Sequence, residues 1–204
     1  MYKHPVIVFE GIEASGKSTN ISIATNYLKI KKKNFIKLRE PGGSIFSEEI
    51  RKLLLNKKFN LNNKTDLLLF YAARSENFEK LIKKNYNKKI ILIDRFTDST
   101  TAYQHFGMNI DLNIIKALNN FTIGNFKPDI TFLSIVNSKN LKSRLNKRSR
   151  LNRYDKFKLN FYSKVQKGYY KISKNSKNYI IIDSNKKIIS EVKKIIISKL
   201  DKII

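Results

Sequence analysis

The sequence predicts an α/β protein in which a five-stranded parallel sheet carries helices on both faces. Three observations lead there. Apolar runs alternate with stretches of helical periodicity along the whole chain, the order that builds strand–helix–strand units. The first run feeds Gly11-Ile12-Glu13-Ala14-Ser15-Gly16-Lys17-Ser18, two glycines five apart followed by Lys and Ser, the spacing of a loop that wraps phosphate between a strand and a helix. Arg-rich loops then stand at the carboxyl ends of two later strands, where open parallel sheets hold ligands.

Taken in order, Val6 to Phe9 reads as a buried strand, and Lys17 to about Lys31 as a helix with Ile21, Ala24 and Leu28 on one face. Glycines at both ends of the intervening loop let backbone N–H groups turn inward around a polyphosphate, and the helix start adds its positive dipole end. Lys17 supplies a point charge for the β and γ phosphates and the Ser18 hydroxyl a ligand for Mg²⁺. Phe35 to Leu38 is the second strand. It ends in Arg39-Glu40-Pro41-Gly42-Gly43, a forced loop before a helix from about Ser44 to Asn56. Thr65-Asp66 is expected to cap a long helix reaching about Lys84, in which Phe70 and Arg74, four apart, share one face.

Ile90 to Ile93 is the third strand, ending in Asp94-Arg95-Phe96, a carboxylate and a guanidinium suited to metal and phosphate. Thr97 to Phe106 holds many hydrogen-bonding side chains, among them Thr100, Tyr103 and Gln104. Asp111 caps a helix to about Phe121, Ile130 to Val136 is the fourth strand, and Ser138 is expected to cap the helix that follows. Arg148, Arg150 and Arg153 then form the densest Arg cluster of the chain, a pattern that suits a lid over transferring phosphates at about residues 148–156. A helix rich in Phe and Tyr, the strand Tyr179 to Ile182 and an amphipathic helix from Lys187 to about Leu200 complete the chain.

The 204 residues suit a single domain, 1–204, with no internal repeat or linker. The absence of Cys excludes disulfides, thiol catalysis and Cys-ligated zinc, and with only His4 and His105 a Ser-His-Asp triad or a His-ligated metal is not expected. The opening residues lead straight into the first strand without a signal pattern, and no apolar run is long enough to span a bilayer, so a cytoplasmic location and no membrane partner are expected. The formal charge of +26 attracts phosphate whatever its owner. It arises in a chain dominated by 34 Lys, 29 Ile and 23 Asn, however, and contains no nucleic-acid-binding motif, so no nucleic-acid partner is expected. The eight Arg are more informative, because a chain that defaults to Lys retains Arg where a planar, bidentate fork is needed.

Phe9-Glu10-Gly11 running into Ser15-Gly16-Lys17-Ser18-Thr19, then Arg39-Glu40-Pro41-Gly42-Gly43, Phe70-Tyr71-Ala72-Ala73-Arg74, Asp94-Arg95, Ala102-Tyr103-Gln104 and Lys127-Pro128-Asp129, resemble the thymidylate kinase family over almost the whole chain. The resemblance implies a P-loop nucleotide kinase that moves the γ-phosphate of ATP to dTMP with Mg²⁺, giving dTDP and ADP in dTTP synthesis, and a homodimer. It implies ATP binding by Gly11, Ile12, Glu13, Ala14, Ser15, Gly16, Lys17, Ser18 and Thr19. For dTMP it implies Phe70 on the base, Arg74 at a base carbonyl, Thr100 at the base edge, Gln104 among the dTMP-binding residues, Tyr103 against the sugar, Glu13 at the 3′-hydroxyl, and Arg39 with Arg95 on the phosphate. Asp94 and Ser18 go with the metal, and Lys17, Arg95, Arg148, Arg153 and Asp94 with catalysis. Because Ala14 and Ser15 leave no Arg in the phosphate loop, the chain resembles the bacterial type that supplies its Arg from the lid. Phe96, Asn152, Asp155 and Arg150 depart from the family pattern. Two other readings are a related kinase acting on deoxynucleotides or nucleosides, and a P-loop protein that binds nucleic acid; a pair of arginines for an acceptor phosphate argues against a nucleoside.

Overall fold

Five strands, β1 (Val6–Gly11), β2 (Phe35–Arg39), β3 (Ile90–Asp94), β4 (Ile130–Ile135) and β5 (Tyr179–Asp183), lie parallel in the order β2-β3-β1-β4-β5 in the computed structural model, which describes residues 4–149 and 152–204. β1 is buried along its whole length, as expected of the central strand of a sheet covered on both faces. Its register sets Phe9 against Asp94 of β3 and against Phe132 of β4, while Arg39 of β2 also stands opposite Asp94. The carboxyl ends of four strands therefore open at one edge, with the change of strand order at β1 leaving a crevice there.

The helices are α1 (Lys17–Ile30), α2 (Ile45–Leu55), α3 (Asn63–Asn77), α4 (Lys83–Asn85), α5 (Thr97–Thr100), α6 (Leu112–Ile123), α7 (Ser138–Asn146), α8 (Leu159–Lys174) and α9 (Ile189–Leu200). Alternation along the strands divides the core. Ile7, Phe9, Leu92, Phe132 and Ile182 face α1 and α9 through Ile21, Leu28, Val192 and Ile196. Val6, Val8, Ile91 and Ile93 face the other way onto Ile82, Phe96 and Ile123, and Leu133 and Ile135 onto Tyr162, Val165 and Tyr169 of α8. The expected sheet with helices on both faces is thus present. Among the described residues no helix is long and apolar enough to cross a membrane.

Three boundaries differ from the sequence reading. The cap of α3 is Asn62, whose side chain accepts from the Thr65 N–H at 2.9 Å, so Asp66 lies inside the helix and is buried. Asn137, accepting from the Asn140 N–H, caps α7 in place of Ser138. Thr97–Gly107, which has no apolar period, is helical throughout, passing from α5 into a π-helical stretch at Thr101–Gly107. α3 likewise continues through a π-helical turn, Phe78–Ile82, into α4. The stretch at Thr101–Gly107 brings Tyr103 and Gln104 to the crevice, a common place for π-helical segments, while Phe78–Ile82 packs on the core through Ile82.

Candidate active site

The phosphate loop joins β1 to α1. Gly11 has φ +134°, and a Cβ there would lie 2.2 Å from the Ser134 carbonyl oxygen of β4, so no other residue fits. Gly16, φ +99°, turns the chain into α1, and no side chain caps that helix, which leaves its first N–H groups for a ligand. The loop braces itself: Ser15 Oγ donates to the Ile12 carbonyl at 2.7 Å, and Lys17 Nζ reaches the same oxygen at 3.3 Å. Burial, and then the nearby Arg95, lower the Lys17 ammonium from 10.5 to about 8. Over this loop opens a cavity of about 430 Å³ lined by Ala14 to Asn20, Arg144, Arg148, Ser184 and Lys187. Arg144 spans it, donating to the Ala14 carbonyl and to Ser184 Oγ and carbonyl, each at 3.0 Å.

A second cavity, of about 200 Å³, lies between α3, the end of β3 and α5. Glu13, Lys17, Ser18, Phe70, Arg74, Asp94, Arg95, Thr100, Tyr103, Gln104 and Arg148 all line it, so most of the residues expected to take part do converge. Lys17, Ser18 and Arg148 belong to both linings and are where the two cavities meet.

Paired charges fix the second cavity. Arg74, 1% exposed, donates to Glu40 Oε2 at 2.7 Å, to the Phe96 carbonyl at 3.1 Å and to Thr100 Oγ1 at 2.9 Å. Burial pushes the Glu40 carboxyl upward while the Arg74 guanidinium pulls it back. Arg95 donates to Glu13 at 2.9 Å and lies over the Tyr103 ring, and the Tyr103 hydroxyl closes the circuit on Glu13. Arg95 itself has φ +67°, a conformation that costs a long side chain free energy. Glu10 holds that turn in place, accepting from the Phe96 N–H at 2.8 Å, the Ser99 N–H at 3.2 Å, Ser99 Oγ at 2.6 Å and the Tyr169 hydroxyl at 2.9 Å. Burial and the neighbouring Asp98 raise the Glu10 carboxyl from 4.5 to about 7.

Buried polar atoms in folded proteins are almost always hydrogen-bonded, so an exception on a residue that lines a cavity is a candidate contact for a ligand. Among the described residues the exceptions are Glu40 Oε1, Arg74 Nη1, Asp94 Oδ1 and Arg153 Nε, and the first three belong to residues lining the second cavity.

Of the residues expected at the site, Gly11 and Ile12 line neither cavity, Ile12 being packed in the core, and two arginines lie elsewhere. Arg39 is exposed and bound to Glu48 at 2.7 and 3.2 Å, outside both linings, because successive side chains at the end of a strand point opposite ways and Glu40 takes the inward one. Arg51 of α2 occupies the cavity instead, its guanidinium donating to the Pro41 carbonyl at 2.7 Å. Arg153 also lines neither cavity, since its guanidinium pairs with Asp66. Arg148 takes the place at the wall, 2.5 Å from Asp155. Arg150 lies outside the described residues. Sequence reasoning passed over Arg51, Arg144, Glu40, Ser99 and Asn152. For the two arginines a signal existed: five of the seven described arginines line one of these two cavities, against Lys17 and Lys187 alone of the described lysines.

A phosphate loop whose cavity abuts a second, arginine-lined one, at the switch point of a five-stranded parallel sheet, defines a P-loop nucleotide kinase. Within that class the chain belongs to the thymidylate kinase family, whose sequence model matches residues 9–196. It is 41% identical over 151 residues to the thymidylate kinase of Thermosipho africanus, covering 74% of this chain and 75% of that one. It is 47% identical over 130 residues to that of Ehrlichia canis, an alignment spanning 62% of this chain and 63% of the relative. The crystal structure of the thymidylate kinase from Ehrlichia chaffeensis superposes with a TM-score of 0.76 at 34% identity, covering 97% of this chain and 98% of that one. The family is one of nucleoside-monophosphate kinases, which are transferases.

Proposed function

We propose that this chain transfers the γ-phosphate of ATP to dTMP, giving dTDP and ADP for dTTP synthesis in the cytoplasm. The observation that carries this reading is the meeting of two cavities at Lys17, Ser18 and Arg148, since transfer between two bound phosphates needs cationic groups at the point where donor and acceptor touch. In the donor cavity the loop amides, the start of α1 and Lys17 hold the triphosphate. In the acceptor cavity Phe70 stacks on thymine, the unpartnered Arg74 Nη1 donates to a base carbonyl, and Thr100 keeps Arg74 aimed. Gln104 sits at the base edge, and the Tyr103 ring, tied to Glu13, crowds the position a ribose 2′-hydroxyl would take. The acceptor phosphate is assigned to Arg95 and Arg51, with Arg39 outside the clamp. Arg148, delivered by the lid segment 148–156, takes up charge developing between the phosphates.

Mg²⁺ fits the residues present. Asp94 has a buried oxygen without a partner, and the Ser18 hydroxyl belongs to the same lining. That suits an ion bound through one or two protein ligands plus substrate phosphates. When bound, it supplies neutralisation of phosphate charge, and Ser18 and Asp94 are the residues that would hold it. A homodimer goes with this reading. Phe46 and Leu53 of α2, Leu68 of α3, and Ile114 and Phe121 of α6 are exposed apolar residues on neighbouring helices, and a dimer mass in sedimentation is expected.

The deciding experiment is a coupled assay of ADP production with ATP and Mg²⁺, offering dTMP, dUMP, dCMP, dGMP and thymidine in parallel. Strong turnover with dTMP, weaker with dUMP and none with thymidine is expected. Equal turnover of thymidine, or none with any nucleotide, overturns the reading.

A further inference from the structure

Asp66 is 1% exposed in the first turn of α3, where a helix facing a cavity could carry an apolar residue at no cost. Its capping role is filled by Asn62, so the carboxylate is kept for something else. It accepts from Arg153, from the Tyr154 hydroxyl at 2.6 Å and from Gln104 Nε2 at 3.2 Å. Arg153 also donates to the Tyr154 hydroxyl at 3.1 Å and covers that ring at 5.0 Å, and the ring stands edge-on to Phe70, 6.0 Å between centroids. One residue further on, Asp155 is buried, holds the Asn152 N–H at 2.9 Å and pairs with Arg148 at 2.5 Å. Asp66, Phe70 and Arg74 recur every four residues, so one face of α3 carries the anchor of this turn and two walls of the acceptor cavity.

We propose that Asp66 is a positioning residue for phosphoryl transfer: it holds the Arg153–Tyr154 turn against the acceptor cavity, so that Asp155 sets the Arg148 guanidinium at the wall shared with the donor cavity. The inference rests on the kinase reading above. It gives Arg153 a supporting role, consistent with a guanidinium that is committed to Asp66 and Tyr154 and lines neither cavity.

The test is a double-mutant cycle on the purified full chain, reading kcat and acceptor KM separately from ADP production with ATP, Mg²⁺ and dTMP, and folding by thermal melting. Arg148→Ala is expected to lower kcat about a hundredfold, by loss of one charge-stabilising donor. Asp66→Asn should lower kcat on the order of thirtyfold, and the double variant should be within about threefold of Arg148→Ala alone, because groups acting as one unit are not additive. A merely structural Asp66 gives losses that multiply, and that result overturns the proposal. Should Asp66→Asn fail to fold, Arg153→Met in the same cycle decides, with the same non-additivity expected and multiplied losses again overturning it. A wild-type chain without dTMP-dependent turnover removes the kinase reading and this inference together, whereas an active wild type with additive variants removes this inference alone.

Discussion

The two cavities are built on opposite electrostatic plans. The donor cavity is lined by Lys17, Arg144, Arg148 and Lys187 with no carboxylate in its lining, and two of those cations bond backbone carbonyls. In the acceptor cavity two of the arginines are ion-paired, Arg74 with Glu40 and Arg95 with Glu13, while Arg51 bonds the Pro41 carbonyl. A wall whose cations face mainly dipoles is incomplete without a polyanion and discriminates little beyond charge. A wall of paired charges has its geometry set before any ligand arrives, and can hold a single unpaired donor such as Arg74 Nη1 at a defined point. The first plan suits affinity for phosphate, the second suits choice of a base. Arg148 belongs to both, because it lines both cavities yet is held by Asp155.

Breaking the donor side should have the largest effect. Lys17→Ala is expected to lower kcat on the order of a thousandfold with the fold intact, measured as dTMP-dependent ADP production. On the acceptor side the corresponding change strikes stability first. Arg74→Met leaves the Glu40 carboxylate buried without its partner and should cost about 3–5 kcal/mol in denaturant unfolding. Because burial already raises Glu40, its protonated form is the one the folded variant favours. The deficit should therefore shrink as pH falls toward the ordinary carboxylate range and grow above it. A variant equally stable at all pH values would contradict the paired-charge plan.

Smaller effects sharpen the contrast. Arg51→Met should raise the acceptor KM about thirtyfold, the worth of a charge-assisted hydrogen bond of about 2 kcal/mol, while the ATP KM stays within about threefold. The donor side carries a pH signature: with Lys17 lowered to about 8, its charge is present below that value and lost above it. The kcat/KM for ATP should then fall about tenfold per pH unit beyond the pKa, and a flat profile to pH 10 would show that Lys17 keeps the ordinary lysine range. Least of all, Arg39→Met should change the acceptor KM less than about threefold, because its exposed pair with Glu48 is worth only about 0–1 kcal/mol. A larger loss there than in Arg51→Met would return the clamp to Arg39.

Much of this was legible before any coordinates. The phosphate loop is a local object: two glycines, a lysine and a serine at set spacing dictate its backbone whatever surrounds it, and the structure finds Gly11 and Gly16 at positive φ as that spacing requires. The strands follow from apolar runs, and Phe70 with Arg74 from helical spacing, both readable within ten residues. Arg39 and Arg153 show where such reading stops. A basic residue beside the right motif is as near in sequence as one that points into the cavity, and nothing in Arg39-Glu40 alone tells which side chain turns inward.

The sequence by itself determined the sheet, the phosphate loop and the set of residue types available for the chemistry, because backbone conformation and amphipathic period are governed by neighbours a few residues away. Only the tertiary structure decided which arginines line the cavities. Arg153 meets Asp66 87 positions away, Glu10 anchors the Phe96 amide across 86, and Arg144 reaches the loop carbonyl of Ala14 across 130. A guanidinium goes to whichever buried acceptor the packed chain brings within reach, and that choice is made by the fold as a whole.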